Sequence, residues 1–416
     1  MIEIKTKLDV RRPEPGIYEG ISFKRYCRIE AVNQSTLKEI LKSPRHYKAA
    51  IDKGETDTPA MRDGRIIHSL VLEPRSVSSR VAVWPNDTRA GLVWEAVNWI
   101  WSGDMDTGET EEDRNSLRDW RLRSRFSVFD GKARRGKEWK AFKAAHDENE
   151  DKDGYKILTQ PEFDAVKEFI ATNDSGRTPF ETRELVTQPE WDRLKTIADA
   201  MRDHPLSGPL KIRKSDKGNA WRELTLVWVE STDAGDVLCK ARLDLVRLPG
   251  SETDLARQVK ADLAAESGIN LSLAMVHDVK KTATEDEHGF ARAVSAYGYD
   301  FQREWYCRGW DKLTGQWLPR GNFRFATVGA SAPHDVNDYA LPEIALHAGK
   351  YLVELALERL TECRVDDYWP GEHEDQPREL KGYRPWLPQG VEIMDLVQMG
   401  EMPIAAGEAE AEAEAA

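Results

Sequence analysis

The chain has 416 residues, 40% of them hydrophobic, enough to bury a substantial core in about two or three domain-sized units. No apolar run approaches the roughly 18 residues of a membrane span, and the start Met1-Ile-Glu-Ile-Lys-Thr-Lys lacks a secretory segment, so a cytoplasmic protein with no membrane contact is expected. The scattered Cys27, Cys239, Cys307 and Cys363 argue against a disulfide frame, a zinc knuckle and an iron–sulfur cluster, and a net charge of −13 requires that any nucleic-acid role rest on local positive potential.

In chain order, residues 15–75 read as helical. Asn33-Gln-Ser-Thr supplies N-cap chemistry before an apolar stripe of Leu37, Ile40 and Leu41, which Ser43-Pro44 interrupts. A second helix covers Ala60 to Leu72 and stops at Glu73-Pro74. Val81-Ala-Val-Trp-Pro85 is a short strand, and residues 86–210 are mainly helical and polar, with turn-rich breaks at 102–104 and 151–154. Within that stretch Leu158-Thr-Gln-Pro-Glu-Phe-Asp164 is echoed by Val186-Thr-Gln-Pro-Glu-Trp-Asp192, two helices begun by the same Thr cap and first-turn Pro. Arg118, Arg121, Arg123, Arg125, Lys132, Arg134, Arg135 and Lys137, interleaved with Trp120 and Trp139, could line a DNA groove or form a solvated helix face.

From Asn219 the period becomes that of strands. Trp221–Glu230 and Asp236–Leu248 flank a turn and form a hairpin, and Ala274–Lys280 is a further strand. Helices follow at Asp286–Tyr297 and Asp300–Trp310, divided at Gly298, then a strand at Phe323–Gly329 and a long helix at Leu341–Cys363. The rest, from Pro370 to Ala416, is irregular and ends in an alternating Glu-Ala run. The fold class is α+β, a mixed central sheet flanked by helices with a helical N-terminal half.

These strands carry charge where alternation predicts a core: Glu223, Asp244, Asp278 and Lys280. Asp278 and Lys280 share one face of their strand because side chains alternate with period two. Three carboxylates and an ammonium can hold Mg²⁺ through oxygen ligands, polarise a phosphoryl group and activate water. By itself an Asp-x-Lys is more often an exposed ion pair than a catalytic one. His68, in Gly64-Arg-Ile-Ile-His68, and the pair Gln302 and Tyr306, four apart on one helix face, are ordinary packing residues when taken singly.

The order Gly-x-x-x-His, Glu, Asp, Asp-x-Lys, Gln-x-x-x-Tyr resembles the PD-(D/E)xK nucleases of the RecB-like branch, and more closely the exodeoxyribonuclease VIII (RecE-type) phage and prophage nucleases. Pro15-Gly-Ile-Tyr18, Ser43-Pro-Arg-His-Tyr47, Met61 to Pro74, Gly289-Phe-Ala-Arg292, Tyr297-Gly-Tyr299 and Trp369-Pro-Gly371 look like the same pattern, which spans most of residues 14–372. The resemblance implies a restriction-endonuclease-like core. His68, Glu223, Asp244, Asp278 and the Val279 carbonyl would form a site for one or two Mg²⁺ ions, with Mn²⁺ a plausible substitute. Lys280 would be the catalytic lysine, and Gln302 and Tyr306 would brace the site or touch the DNA strand. It also implies 5′→3′ digestion of linear double-stranded DNA from its ends, leaving 3′ single strands for an annealing partner, and a ring-shaped homo-oligomer.

On this reading residues 1–85 are the helical N-terminal part of the nuclease domain, 86–210 a helical insertion, 211–372 the catalytic core and 373–416 an acidic tail. Leu243 departs from the pattern where proline is common, and Lys281 where threonine usually follows the lysine. The alternatives are an endonuclease or single-strand nuclease of the same chemistry, and a catalytically silent DNA-binding or assembly subunit.

Overall fold

A computed structural model describes residues 2–53, 58–85, 89–102, 110–147, 156–174, 183–204, 210–212, 218–249, 270, 273–283 and 286–371. The breaks expected at 103–104 and 151–154 and the 373–416 tail lie outside the described residues. Strands in chain order are β1 (Ile4–Lys5), β2 (Gly16–Tyr18), β3 (Val81–Trp84), β4 (Phe126–Phe129), β5 (Lys156–Thr159), β6 (Glu184–Thr187), β7 (Ala220–Thr232), β8 (Gly235–Arg247), β9 (Met275–Thr282), β10 (Phe323–Gly329) and β11 (Val336–Tyr339). A seven-stranded sheet runs β1-β2-β7-β8-β9-β10-β11. Its centre is an antiparallel meander of β7, β8 and β9; β10 joins β9 in parallel, which requires the crossover supplied by helices Glu287–Tyr297 and Tyr299–Thr314. The molecule is therefore α+β, with a mostly antiparallel central sheet between helical layers.

The two layers follow from the burial pattern. One side of the meander, with Leu224, Leu226 and Trp228 of β7 and Ala241 and Leu243 of β8, packs against Phe301, Trp305 and Trp310 and against Val353, Leu357 and Leu360 of helix Glu343–Asp366. Leu243, standing where proline is common, fills this core and pairs with Leu224. The other side, with Leu245, Val279, Ala326 and Val328, packs against Ile66, Ile67, Leu70 and Val71 of helix Pro59–Leu72 and Leu194, Ile197 and Met201 of helix Gln188–Asp203. Helix Pro59–Leu72 begins where expected: Thr58 Oγ1 accepts from Met61 N at 3.3 Å and Pro59 occupies the first turn. Among the described residues, no helix is long and apolar enough to cross a membrane.

The front half is mainly helical, but the segment expected to be helical from residue 15 begins as β2, which pairs antiparallel with β7 through Gly16 to Tyr18. Three residues carry too little periodicity to announce a strand, and their pairing partner lies some two hundred residues away in sequence. The echoed Thr-Gln-Pro-Glu motifs are strand ends as well as helix starts. Thr159 closes β5 and Thr187 closes β6, and each then caps a helix in a capping box. Glu162 accepts from Thr159 N at 2.8 Å and Glu190 from Thr187 N at 2.7 Å. A separate core of Trp84, Trp94, Val97, Ile100, Leu122 and Phe163 crosses the boundary expected at residue 85, and Leu194, Ile197 and Met201 pack against the main sheet instead.

Candidate active site

The β7–β8 ladder is interrupted at one place, where Glu223 stands opposite Asp244. Arg222 pairs with Leu245 and Leu224 with Leu243, so the register is kept on both sides of the gap. Glu223 adopts φ 55, uncommon for a residue with a side chain. The next ladder stops at the same level: β8 and β9 pair from Arg247↔Met275 to Leu245↔His277, one step short of Asp244 and Asp278. Alternation on β8 breaks here too, since Leu243 and Val246 enter one core and Leu245 the other. Such local irregularities re-aim side chains in a sheet. Glu223, Asp244 and Asp278 thus form one row across three adjacent strands, where the sheet opens.

Both helical layers reach into this opening. His68, from helix Pro59–Leu72, lies between the first two acids: Nδ1 is 2.9 Å from Glu223 Oε1 and Nε2 is 2.8 Å from Asp244 Oδ2. Each ring nitrogen lies within ion-pair distance of a carboxylate, an environment that favours the imidazolium. Asp244 Oδ2 also accepts from Val279 N at 2.7 Å, in place of a ladder bond. An extended residue turns its N–H and C=O to the same edge, so the Val279 carbonyl also faces the β8 side. From the opposite layer, Gln302 Nε2 donates to Asp278 Oδ1 at 2.8 Å and to the Tyr306 hydroxyl at 3.0 Å. Lys280 Nζ lies 2.5 Å from Asp278 Oδ2, an ion pair that misses hydrogen-bond angles and leaves that buried oxygen without a hydrogen bond. All seven side chains expected at the site, His68, Glu223, Asp244, Asp278, Lys280, Gln302 and Tyr306, are brought together.

Two further groups belong to the cluster. Arg242 donates to Glu223 Oε2 and, through Nη1, to Ile21 O at 2.7 Å, fixing the carboxylate whose backbone is irregular. Tyr299 places its ring 4.8 Å from Lys280 Nζ. Arg242 had a legible signal, since it lies two residues before Asp244 on the same strand. Tyr299 had only its place in Tyr297-Gly-Tyr299. Lys281 takes part in an ionic network: its Nζ is 3.7 Å from Asp63 Oδ2, to which Arg193 Nη2 donates at 2.6 Å, tying β9 to the helix that carries His68.

The charges hold one another. Burial disfavours the His68 imidazolium, but Asp244 and Glu223 outweigh it and raise its pKa well above the ordinary value. Burial opposes the Glu223 carboxylate too, yet His68 and Arg242 pull it down to about 2. Asp278 goes the other way: burial pushes it up to about 6, Lys280 works against that and Asp244 with it. Burial disfavours the Lys280 ammonium, and Asp278 and Asp244 more than compensate, so its pKa is raised. At neutral pH Lys280 is a cation.

Among the described residues, no three His, Cys, Asp or Glu groups are set around a common metal position, and His68 and Lys280 lie in ion-pair contact with the acids. The donor chemistry nevertheless fits a hard divalent cation: carboxylate oxygens of Asp244 and Asp278, a carbonyl facing the same gap, and an Asp278 Oδ2 that is buried without a hydrogen bond. A cavity of about 640 Å³ lies elsewhere, lined by Glu112, Arg118, Asp119 and Lys167, and shares no residue with the cluster. The basic segment is largely spent internally. Arg118 Nη1 donates to Asp174 at 2.7 Å, the Arg121 and Arg125 guanidiniums lie 4.5 and 4.6 Å from the Trp99 ring, and Arg134 pairs with Glu162.

Residues 246–376 match the family described as a PDDEXK-like domain of unknown function. The matched segment contains Asp278, Lys280, Gln302 and Tyr306, whereas His68, Glu223 and Asp244 lie outside it. No curated protein matches the sequence. A crystal structure described as that of a "Putative exonuclease" from Eubacterium rectale is 13% identical, covers 82% of this chain and 98% of its own, and superposes with a TM-score of 0.28. At that TM-score the likeness carries no weight, and the match to the PDDEXK-like family stands without it.

Proposed function

We propose that the protein is a divalent-metal-dependent deoxyribonuclease that hydrolyses linear double-stranded DNA as a 5′→3′ exonuclease, leaving 3′ single-stranded ends for recombination by an annealing partner. The observation that carries the chemistry is the row of Glu223, Asp244 and Asp278 at the opening of the sheet, with Lys280 beside it. Three acids converging at a broken ladder are costly to desolvate, a cost that His68, Arg242 and Lys280 offset here and that a bound divalent cation would also offset. Direction, end preference, a ring-shaped oligomer and the annealing partner come from the resemblance of the whole motif order to exodeoxyribonuclease VIII-type nucleases.

Asp244, Asp278 and the Val279 carbonyl would hold Mg²⁺ or Mn²⁺, with Glu223 and His68 adjoining. When bound, the cation supplies Lewis acidity toward a phosphoryl oxygen and lowers the pKa of water. The chain's own groups do the rest. Lys280, charged at neutral pH, stabilises negative charge on the phosphate and orients water rather than serving as a base. Gln302 holds Asp278 by one oxygen and leaves the other for binding, and the Tyr306 hydroxyl fixes the Gln302 amide. Arg242 keeps Glu223 turned to His68. For His68 to act as a ligand its ring must first lose a proton.

Linear and closed-circular duplexes incubated with Mg²⁺ or with EDTA test this reading. Loss of the linear DNA alone, abolished by EDTA and reduced at least about 100-fold by Asp278→Ala or Lys280→Ala, is the expected result. Cutting of closed circles would make the protein an endonuclease. No metal-dependent loss of either substrate would leave a DNA-binding or assembly subunit.

A further inference from the structure

We propose that Tyr297 and Tyr299 form a stacking platform for the base of an unpaired nucleotide next to the phosphate at Lys280, and that Lys38 contacts a neighbouring phosphate. The choice of a nucleotide as ligand rests on the nuclease reading; the platform itself rests on four observations. Tyr297 is 61% exposed, so its side chain is open to a partner. Its ring centroid lies 5.8 Å from that of Tyr299 at an interplanar angle of 33°. Tyr299 in turn approaches Lys280 Nζ at 4.8 Å, so the exposed ring is one aromatic step from the site. The Lys38 ammonium donates to the Tyr297 carbonyl at 3.1 Å, and among the described residues no ion pair holds it.

The turn between the two tyrosines produces this arrangement. Gly298, at φ 68, ends helix Glu287–Tyr297 and begins helix Tyr299–Thr314, so residues on either side present their rings together. The second helix carries Gln302 and Tyr306, which fixes the platform relative to Asp278. Behind Tyr299 the stack continues into Phe290 and Phe325, which makes the inner ring rigid while the outer face of Tyr297 stays open. At the other end of the acidic row, Phe23 is also exposed and stacks on Tyr26. The cation there, Arg242, is already committed to Glu223, as Lys280 is to Asp278, whereas Lys38, which among the described residues no ion pair holds, offers positive charge beside Tyr297. An aromatic face flanked by ammonium groups suits a base and its phosphates, and because every base has a π-face it imposes no sequence preference.

The test is binding of the full chain, in EDTA, to a short single-stranded oligonucleotide with a fluorescent base analogue placed in turn at each position. Wild-type protein should quench the analogue at one position. Tyr297→Ala, a surface change, should abolish that quenching and weaken binding about tenfold, and Tyr297→Trp should restore both. An abasic nucleotide at the quenched position should bind wild type and Tyr297→Ala equally. Lys38→Ala should lower the salt slope of binding by about 0.7, the share of one phosphate on a single strand. Quenching that persists in Tyr297→Ala, or no quenching by wild type at any position, overturns the platform even if the protein degrades DNA. Wild-type quenching lost in Tyr297→Ala, from a protein that degrades no DNA with Mg²⁺, upholds the platform and overturns the nuclease reading.

Discussion

Gly64 lies one helical turn before His68 on the same face, and a Cβ at that position would meet nothing within 4 Å. Packing inside the protein does not ask for glycine there, although glycine within a helix costs about 0.5–1 kcal/mol relative to alanine. The open space is explained if DNA enters beside His68. Gly64→Ala should therefore raise the unfolding free energy measured in urea by that increment, while the bulkier Gly64→Leu keeps the fold and lowers kcat/KM on linear DNA. A Leu variant as active as wild type would remove the argument. His277, beside Asp278 in sequence, behaves differently. It is buried, its Nδ1 has no hydrogen-bond partner among the described residues, and burial lowers its pKa to about 4. The folded state prefers the neutral ring while the unfolded chain takes a proton near the ordinary 6.5. This contribution is complete above pH 6.5 and is lost as pH falls toward 4, up to about 3 kcal/mol. Urea unfolding at pH 7 and pH 5 should show a loss of stability that is smaller in His277→Phe; equal losses in both proteins would discard it.

At the scale of elements, helix Tyr299–Thr314 positions the site because it cannot slide. A Cβ on Gly309 would stand 2.8 Å from a ring carbon of Trp228, and one on Gly349 only 2.4 Å from the Asp300 carbonyl oxygen. The second contact is backbone against backbone and has no flexible end to yield. Gly349→Ala should cost about 3 kcal/mol and displace the start of the helix bearing Gln302, so kcat should fall more than KM changes. Thermal melts and steady-state digestion check both parts. Neither close approach is legible in the sequence, since nothing local distinguishes these glycines from turn glycines. What is legible is local. The hairpin of β7 and β8, the Asp278-Val-Lys280 face and the helices around Gly298 follow from periodicity and from charge at core positions. β2, the pairing of β3 with β6 and the broken ladder at Glu223 depend on distant partners, which short-range pattern does not encode. The capping motifs were legible as helix starts but not as strand ends, because Leu158 and Val186 read equally well as helix lead-ins.

Across the whole molecule the electrostatics favour conditional binding. With −13 net charge the protein repels a polyanion at long range, and much of its basic segment is committed to Trp99, Asp174 and Glu162. At the site, the charges of Glu223, Asp244 and Asp278 are balanced by His68, Arg242 and Lys280. A divalent cation entering this neutral cluster would leave excess positive charge, which a DNA phosphate can neutralise. Cation and DNA should therefore each tighten the other by the same factor, because coupling between two bound ligands is reciprocal. With the Lys280→Ala protein, which binds without rapid cleavage, anisotropy of a labelled duplex end should give a higher affinity in Mg²⁺ than in EDTA. Calorimetric titration of Mg²⁺ should give the same ratio between DNA-bound and free protein. In Asp278→Ala, which lacks the buried carboxylate, the ratio should fall toward one. DNA binding insensitive to Mg²⁺ in the Lys280→Ala protein would mean that the acidic row does not link metal to substrate.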